Sequence, residues 1–216
     1  MIRGVVWNLL ARPAMMLLGW PRIRGGQRLR NTNAPVLVVA NHLTFFDPAY
    51  ILAALPRRLR RRLAVAMDGE LLGSMRHPPA STPFFKSCID RVSGFLVVAL
   101  FNVFPLPRRA GFRKSFAFAG DLMDRGWNVL VFPEGERART APMNPFRAGI
   151  GLLATRLGVP VVPMRMNGIA ELRAAGKHMA RPFQIEIAVG EPVTYPPSQP
   201  AEEIAKDLES RVAALQ

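Results

Sequence analysis

The chain has 216 residues, half of them hydrophobic, with 29 Lys and Arg against 15 Asp and Glu for a formal net charge of +14. That length suits one domain with at most a small appendage, and the apolar content excludes disordered, collagen-like and disulfide-scaffold classes. Cys88 is the only cysteine, so no internal disulfide forms; it reads as a small buried hydrophobe in a protein of a reducing compartment.

The charge is unevenly placed. Residues 1–66 hold eleven Arg and one acid, Asp47, for a net +10; residues 67–170 hold thirteen basic and seven acidic residues; residues 171–216 hold five basic and seven acidic, for −2. Nucleic acid and acidic lipid headgroups both attract such a surface. The apolar sequence beside the arginines favours lipid.

In chain order, Gly4 to Ala11 and Ala14 to Trp20 are apolar halves split by Arg12-Pro13. Neither reaches the roughly 20 residues of a spanning helix, and no small-residue cleavage site marks a signal peptide. Trp7 and Trp20, with Arg3, Arg12, Arg22 and Arg24, predict an interfacial segment at a membrane surface over residues 1–29. The alternative is a plain core-packing helix.

Val36 to Ala40 is a short β-branched run, as expected of a strand buried on both faces. Phe46 to Leu55 reads as a helix stopped by Pro56. The Arg57-Arg58-Leu59-Arg60-Arg61-Arg62 cluster reads as a solvated face, or as a lipid- or nucleic-acid-binding patch. Leu63 to Met67 is a further apolar run. The uncharged stretch Val92 to Pro107 is a buried helix, a strand pair or the floor of an apolar pocket, which periodicity cannot separate. Phe112 to Arg125 is a helix closed by Gly126, and Asn128 to Phe132 a strand broken by Pro133. Phe146 to Leu157 is a helix closed by Gly158. Val159 to Met164 is a strand whose two prolines suggest a sheet edge or a strand start. Phe183 to Val189 alternates as a late strand. Pro200 to Leu215 is an amphipathic helix with Ile204, Leu208 and Val212 on one stripe. The alternation predicts an α/β fold: one domain over residues 30–216, with a mostly parallel central sheet flanked by helices.

In such sheets ligands sit beyond the carboxyl ends of the strands. Two polar clusters lie there: Asn41-His42-Leu43-Thr44-Phe45-Phe46-Asp47 after the first strand, and Phe132-Pro133-Glu134-Gly135-Glu136-Arg137 after a later one. Four residues separate His42 from Asp47, and a loop turning into a helix can bring the carboxylate to one imidazole nitrogen, leaving the other as a base. The same spacing suits a buried histidine satisfied by a helix N-cap aspartate. No Gly-x-Ser-x-Gly elbow occurs, so the hydroxyl to be deprotonated belongs to a substrate if the pair is catalytic. His42, His77 and His178 are far apart and predict no metal site. Gly149-Ile150-Gly151-Leu152-Leu153-Ala154 matches a nucleotide-binding pattern by letter but follows no strand, so close helix packing is its expected cause.

Together these clusters resemble the glycerophospholipid acyltransferases of the lysophosphatidic acid acyltransferase type. Asn41 to Asp47 is similar to the family's Asn-His-x-Ser/Gln-x-x-Asp block, with Thr44 at the Ser or Gln position. Phe104-Pro105-Leu106-Pro107-Arg108 resembles the second block, Phe132 to Ala138 the Phe-Pro-Glu-Gly-Thr-Arg-Ser block, and Val159 to Met164 the last. The similarity covers roughly residues 30–190. It implies an acyltransferase in which His42, oriented by Asp47, removes a proton from an acceptor hydroxyl that attacks an acyl-CoA or acyl carrier protein thioester. The same resemblance implies that Arg108 or its neighbour Arg109, together with Arg137, holds the acceptor phosphate and that Glu134 and Gly135 shape the site. Residues within Gly94 to Phe104 are expected to line the acyl tunnel. The thioester is a co-substrate; no metal, other cofactor or nucleic acid is expected. The expected partners are a lysophospholipid and an anionic membrane surface, met peripherally on the cytoplasmic face. Glu136 stands where the family has Thr and adds negative charge beside the phosphate site, which keeps other polar-lipid acceptors open.

Overall fold

Strand β2, Leu37–Ala40, has no exposed residue. It lies inside a sheet covered on both faces, which is why its sequence is continuously apolar instead of alternating. The computed structural model describes residues 4, 7–30, 32, 35–69, 72–73, 95, 98, 100–105, 112–138, 143–174 and 184–216. The expectations for Cys88, His77 and His178, and much of the run from Val92 to Pro107, fall outside these residues.

Seven strands form one sheet: β1 (Arg22–Arg24), β2, β3 (Leu63–Met67), β4 (Phe104–Pro105), β5 (Asn128–Val131), β6 (Val161–Asn167) and β7 (Glu186–Val189), in the order β1-β7-β6-β2-β5-β3-β4. Every pair is parallel except β6 with β7. The sheet is thus mostly parallel, as the alternation predicts. It extends at one edge into the segment read as interfacial, where the short polar β1 pairs with β7 through Ile23 and Ile187.

The α-helices among the described residues are α1 (Arg12–Leu18), α2 (Asp47–Ala54), α3 (Arg57–Arg61), α4 (Phe112–Asp124), α5 (Gly149–Leu157), α6 (Ile169–Ala174) and α7 (Ala201–Ala213). Successive strand residues point to opposite faces, and the core divides accordingly. Val38, Ala40, Leu130 and Met164 pack with α2 on one face. Leu37, Val39, Val129 and Val131 pack with α4, α5 and α7 on the other. Each fully buried aliphatic side chain stabilises the fold by roughly 1.5–3 kcal/mol. Ile204, Leu208 and Val212 are fully buried along α7, the stripe their spacing predicts.

Gly151 lies where α5 crosses α7. A Cβ there would overlap the carbonyl oxygen of Ala201, so close packing, not nucleotide binding, explains the Gly-x-Gly letters. Arg165 is buried and donates to the carbonyls of Val212 and Ala213, closing the end of α7.

For Val159 to Met164 the edge alternative is corrected, since β6 is flanked by β7 and β2, while the strand-start alternative fits Pro160. Pro160 precedes the strand, and Pro163 faces Gly190, just past the end of β7, where its carbonyl accepts from Gly190 N at 2.8 Å. The donor that proline lacks is not one β2 requires, so an interior strand tolerates it. Trp7 does not sit at an outer surface. It is buried in the core at 6% exposure, with the Arg60 guanidinium 5.0 Å from its ring centroid. A buried indole gains far more from packing there than from a surface position. Among the described residues of this segment, Leu9, Met16 and Ile23 are exposed.

The Arg57 to Arg62 cluster is partly structural. Leu59 is fully buried, Arg58 donates to the carbonyls of Leu29 and Arg30, and Arg60 donates to that of Leu52. These guanidiniums close chain segments, which leaves a weaker basis for a nucleic-acid patch. Among the described residues, no helix is long and apolar enough to cross a membrane.

Candidate active site

The site lies beyond the carboxyl ends of β2 and β5. These strands are parallel neighbours with Val39 opposite Val131, so the residues three further along, His42 and Glu134, leave the sheet at the same level. His42 N donates to Glu134 Oε1 at 2.6 Å, and Ala138 N returns to His42 O at 2.8 Å. The two polar clusters of the sequence are thereby laced together by one backbone-to-carboxyl and one backbone-to-backbone hydrogen bond. Asn41, fully buried, fastens the other side: its amide oxygen accepts from Met166 N at 2.8 Å and its Nδ2 donates to Met166 O at 3.2 Å.

His42 and Asp47 meet, with Nδ1 2.8 Å from Oδ2. Asp47 is fully buried, and the His42 side chain is 22% exposed. The Asp47 Oδ2 atom also accepts from the amides of Leu43 at 2.5 Å and Thr44 at 2.8 Å, and Oδ1 accepts from Thr44 Oγ1 at 2.5 Å. Asp47 is the first residue of α2, and Phe46 is its N-cap. The carboxylate reaches back into the preceding loop instead of capping the helix, so the N-cap alternative does not hold. Four donors converge on one buried carboxylate, satisfying its charge. With Nδ1 held as a donor, Nε2 is the nitrogen left to accept a proton. The imidazole stacks on Phe132, centroids 4.4 Å apart, which fixes its plane. Thr44 fills the Ser or Gln position through its hydroxyl, which also accepts from Phe46 N at 3.1 Å.

Glu134 is buried, and its second oxygen accepts from Asn144 N at 2.7 Å. Burial pushes its carboxyl up to about 7; the two amide donors pull the other way, and the charges of Asp47 and Glu209 add to the rise. Gly135 has φ +76°, and a Cβ there would lie 2.6 Å from Arg147 Nε. Only glycine accepts both constraints.

His42 borders a pocket of about 210 Å³. Its apolar wall includes Val65, Met67, Phe101, Val103, Phe116 and Leu153, and its polar end includes Gly135, Glu136, Arg137 and Arg147. Phe101 and Val103 belong to the run expected to line an acyl tunnel. Arg137 is exposed at this end. Arg108 and Arg109 lie outside the described residues. The residue that sequence reasoning passed over is Arg147. Its only signal was a lone cation ahead of a glycine-rich helix start, thirteen residues after Glu134. Among the described residues, no group of His, Cys, Asp and Glu is arranged to hold a metal.

The fold and site define an α/β domain carrying a His–Asp pair at the carboxyl end of its sheet, beside a largely apolar pocket whose lining also includes Arg137, Arg147, Glu136 and Asp68. A family model described as Acyltransferase matches residues 21–167, and the chain belongs to that family. It is similar to a 1-acyl-sn-glycerol-3-phosphate acyltransferase of Chlamydomonas reinhardtii, 29% identical over 202 residues that cover 89% of this chain and 52% of that protein. A lysophospholipid acyltransferase of Homo sapiens is 45% identical over 166 residues, 72% of this chain and 26% of that protein. The chain thus spans about half of the first relative's length and about a quarter of the second's. The crystal structure of the 1-acyl-sn-glycerophosphate (LPA) acyltransferase PlsC from Thermotoga maritima superposes with a TM-score of 0.67 at 22% identity, covering 98% of this chain and 79% of that one. The two share a fold.

Proposed function

We propose that this protein transfers a fatty acyl group from an acyl thioester, acyl-CoA or acyl carrier protein, to a hydroxyl of a lysophospholipid such as 1-acylglycerol-3-phosphate. The observation that carries the reading is the His42–Asp47 pair at the mouth of an apolar pocket. His42 Nε2 takes the hydroxyl proton as the alcohol oxygen attacks the thioester carbonyl carbon. The carbon–sulfur bond then breaks, and the thiolate leaves with the proton from the imidazolium. No acyl-enzyme forms. Asp47 keeps Nδ1 protonated and offsets the imidazolium charge, a general-base contribution of about 10²–10⁴-fold.

The pocket's apolar wall suits a fatty acyl chain, and the Arg137 guanidinium suits a phosphate. The relatives named above act on acylglycerol phosphates and lysophospholipids by their descriptions, which supports the same acceptor class here. The excess of arginine in residues 1–66 supports a peripheral position on an anionic, cytoplasmic leaflet. The N-terminal residues 1–29 would contribute to that docking, ahead of the acyltransferase domain proper. Glu136, exposed at the pocket's polar end, favours a second reading in which the same chemistry serves an acceptor with a less anionic headgroup.

The test is thiol release from acyl-CoA in the presence of lysophosphatidic acid, compared with other lysophospholipids and with monoacylglycerol. His42→Ala is expected to abolish transfer while circular dichroism and vesicle binding stay unchanged. Full transfer by that variant would sink the proposal.

A further inference from the structure

Arg147 lies at the polar end of the pocket with Arg137, Glu136 and His42. Its amide donates to Pro133 O at 3.0 Å and its Nε to Glu134 O at 3.2 Å. The guanidinium lies so close to Gly135 that a methyl group there would be 2.7 Å from Cζ. The side chain is therefore laid flat across the turn following β5, at a position the glycine leaves vacant. A guanidinium held this way loses little further freedom when it binds an oxyanion.

Charge makes this placement informative. Outside the His42–Asp47 pair, the described lining of the pocket carries two guanidiniums, Arg137 and Arg147, and two carboxylates, Glu136 and Asp68. Among the described lining residues Arg147 brings the cations level with the carboxylates, so a phosphate monoester, near −2 at neutral pH, meets a second cation beside Arg137. Arg137 and Arg147 line the same pocket as His42, and two guanidiniums can meet the oxygens of one phosphate from two sides.

We infer that Arg147 is a second anion-binding residue, holding the acceptor's phosphate monoester jointly with Arg137. The assignment of that phosphate to a lysophospholipid acceptor rests on the function proposed above; the anion site itself does not. Arg147 thereby sets acceptor choice: it favours phosphate-bearing acceptors over uncharged acylglycerols, and it counters the effect of Glu136.

Binding and transfer are read separately on the whole chain. Binding of sn-glycerol 3-phosphate is measured by calorimetry, with no thioester present, for the wild type, Arg147→Lys and Arg147→Gln. Affinity is expected to fall in that order, by about ten- to a hundredfold for the Gln variant, as for a lost charge-assisted hydrogen bond. In the transfer assay, Arg147→Gln is expected to raise KM for lysophosphatidic acid by a similar factor and leave KM for monoacylglycerol within twofold. Wild-type affinity for glycerol phosphate in either folded variant overturns the inference, as does no measurable binding by the wild type. An equal fall in kcat with both acceptors at unchanged KM also overturns it, since that is what bracing of the turn alone would give. If Arg147→Gln does not fold, Arg147→Lys decides by the same binding criterion. Arg147-dependent binding without transfer to any acceptor upholds this inference and overturns the acyltransferase reading.

Discussion

The amide of His42 donates a 2.6 Å hydrogen bond to the carboxylate of Glu134, a residue 92 positions further along the chain. Parallel pairing of β2 with β5 in the Val39–Val131 register brings the two loops level, and this bond then locks the main chain of the histidine loop to the turn after β5. Glu134 spans a second gap, to Asn144 N, so three loops share one buried carboxyl. The imidazole takes its orientation from Asp47, and the backbone that carries it is held by Glu134.

Glu134→Gln tests that role. The amide has one acceptor oxygen where the carboxylate has two, so either His42 N or Asn144 N faces an NH2 group. An unsatisfied buried donor costs about 1–3 kcal/mol. Urea unfolding is expected to show a loss of that size, and kcat a fall of tenfold or more with KM for the thioester little changed. A larger change in that KM than in kcat would remove Glu134 from the histidine's support.

The same carboxyl predicts a pH dependence. Held at about 7 in the folded chain against an ordinary 4.5, it binds its proton more tightly when folded. The stability it contributes is complete below about pH 4.5 and is lost as the pH rises through about 7, roughly 3 kcal/mol in all. Unfolding free energies at pH 5 and pH 8, taken as wild type minus Glu134→Gln, should fall with pH. A difference that rises with pH would show that the two amide donors outweigh burial.

Asp47→Asn is nearly isosteric but replaces an acceptor of four hydrogen bonds by a group with one acceptor oxygen. Its NH2 cannot accept from His42 Nδ1, so the imidazole loses the tautomer that leaves Nε2 free. A fall in kcat on the order of 10⁴ is expected, together with reduced thermal stability as the Leu43 and Thr44 amides lose an acceptor. Wild-type kcat in a folded Asp47→Asn chain would assign the pair a structural role only.

What the sequence revealed depended on whether local pattern carried the information. Val36 to Ala40 and Asn128 to Phe132 read as strands because burial on both faces leaves an apolar run, and the polar residues directly after them marked the site. Pro163 misled, because whether a missing donor matters depends on which neighbour that edge of the strand faces, a property of register. Trp7 misled because an amphipathic ring beside arginines has the same letters whether Arg60 covers it or a headgroup does. β1, an Arg-Ile-Arg triplet, had no strand signal of its own; pairing with β7 makes it a strand. Arg147 stayed hidden because only the folded turn lays it over Gly135.

Gly151→Ala tests the crossing of α5 and α7. The added methyl would overlap Ala201 O, which is main chain and yields only if the helices separate. Overpacking of this kind costs about 1–3 kcal/mol. A drop in melting temperature with unchanged KM for both substrates is expected. Unchanged stability would mean that the two helices do not pack as closely as described.

The buried position of Trp7 and the exposed position of Phe46, at 6% and 58%, predict opposite phenotypes for two aromatic substitutions. Trp7→Ala removes a core ring together with its Arg60 contact and should lower unfolding stability by about 3–5 kcal/mol. Phe46→Ser should leave stability nearly unchanged. Phe46 adjoins Phe45, which lines the pocket beside His42, so an acceptor entering from a membrane would pass this pair. Phe46→Ser is therefore expected to weaken sedimentation with vesicles of anionic phospholipid severalfold, while the arginine contribution appears as a further loss with added salt. Undiminished vesicle binding by Phe46→Ser would place the membrane contact elsewhere, with the exposed Leu9 and Met16 of the N-terminal segment next in line.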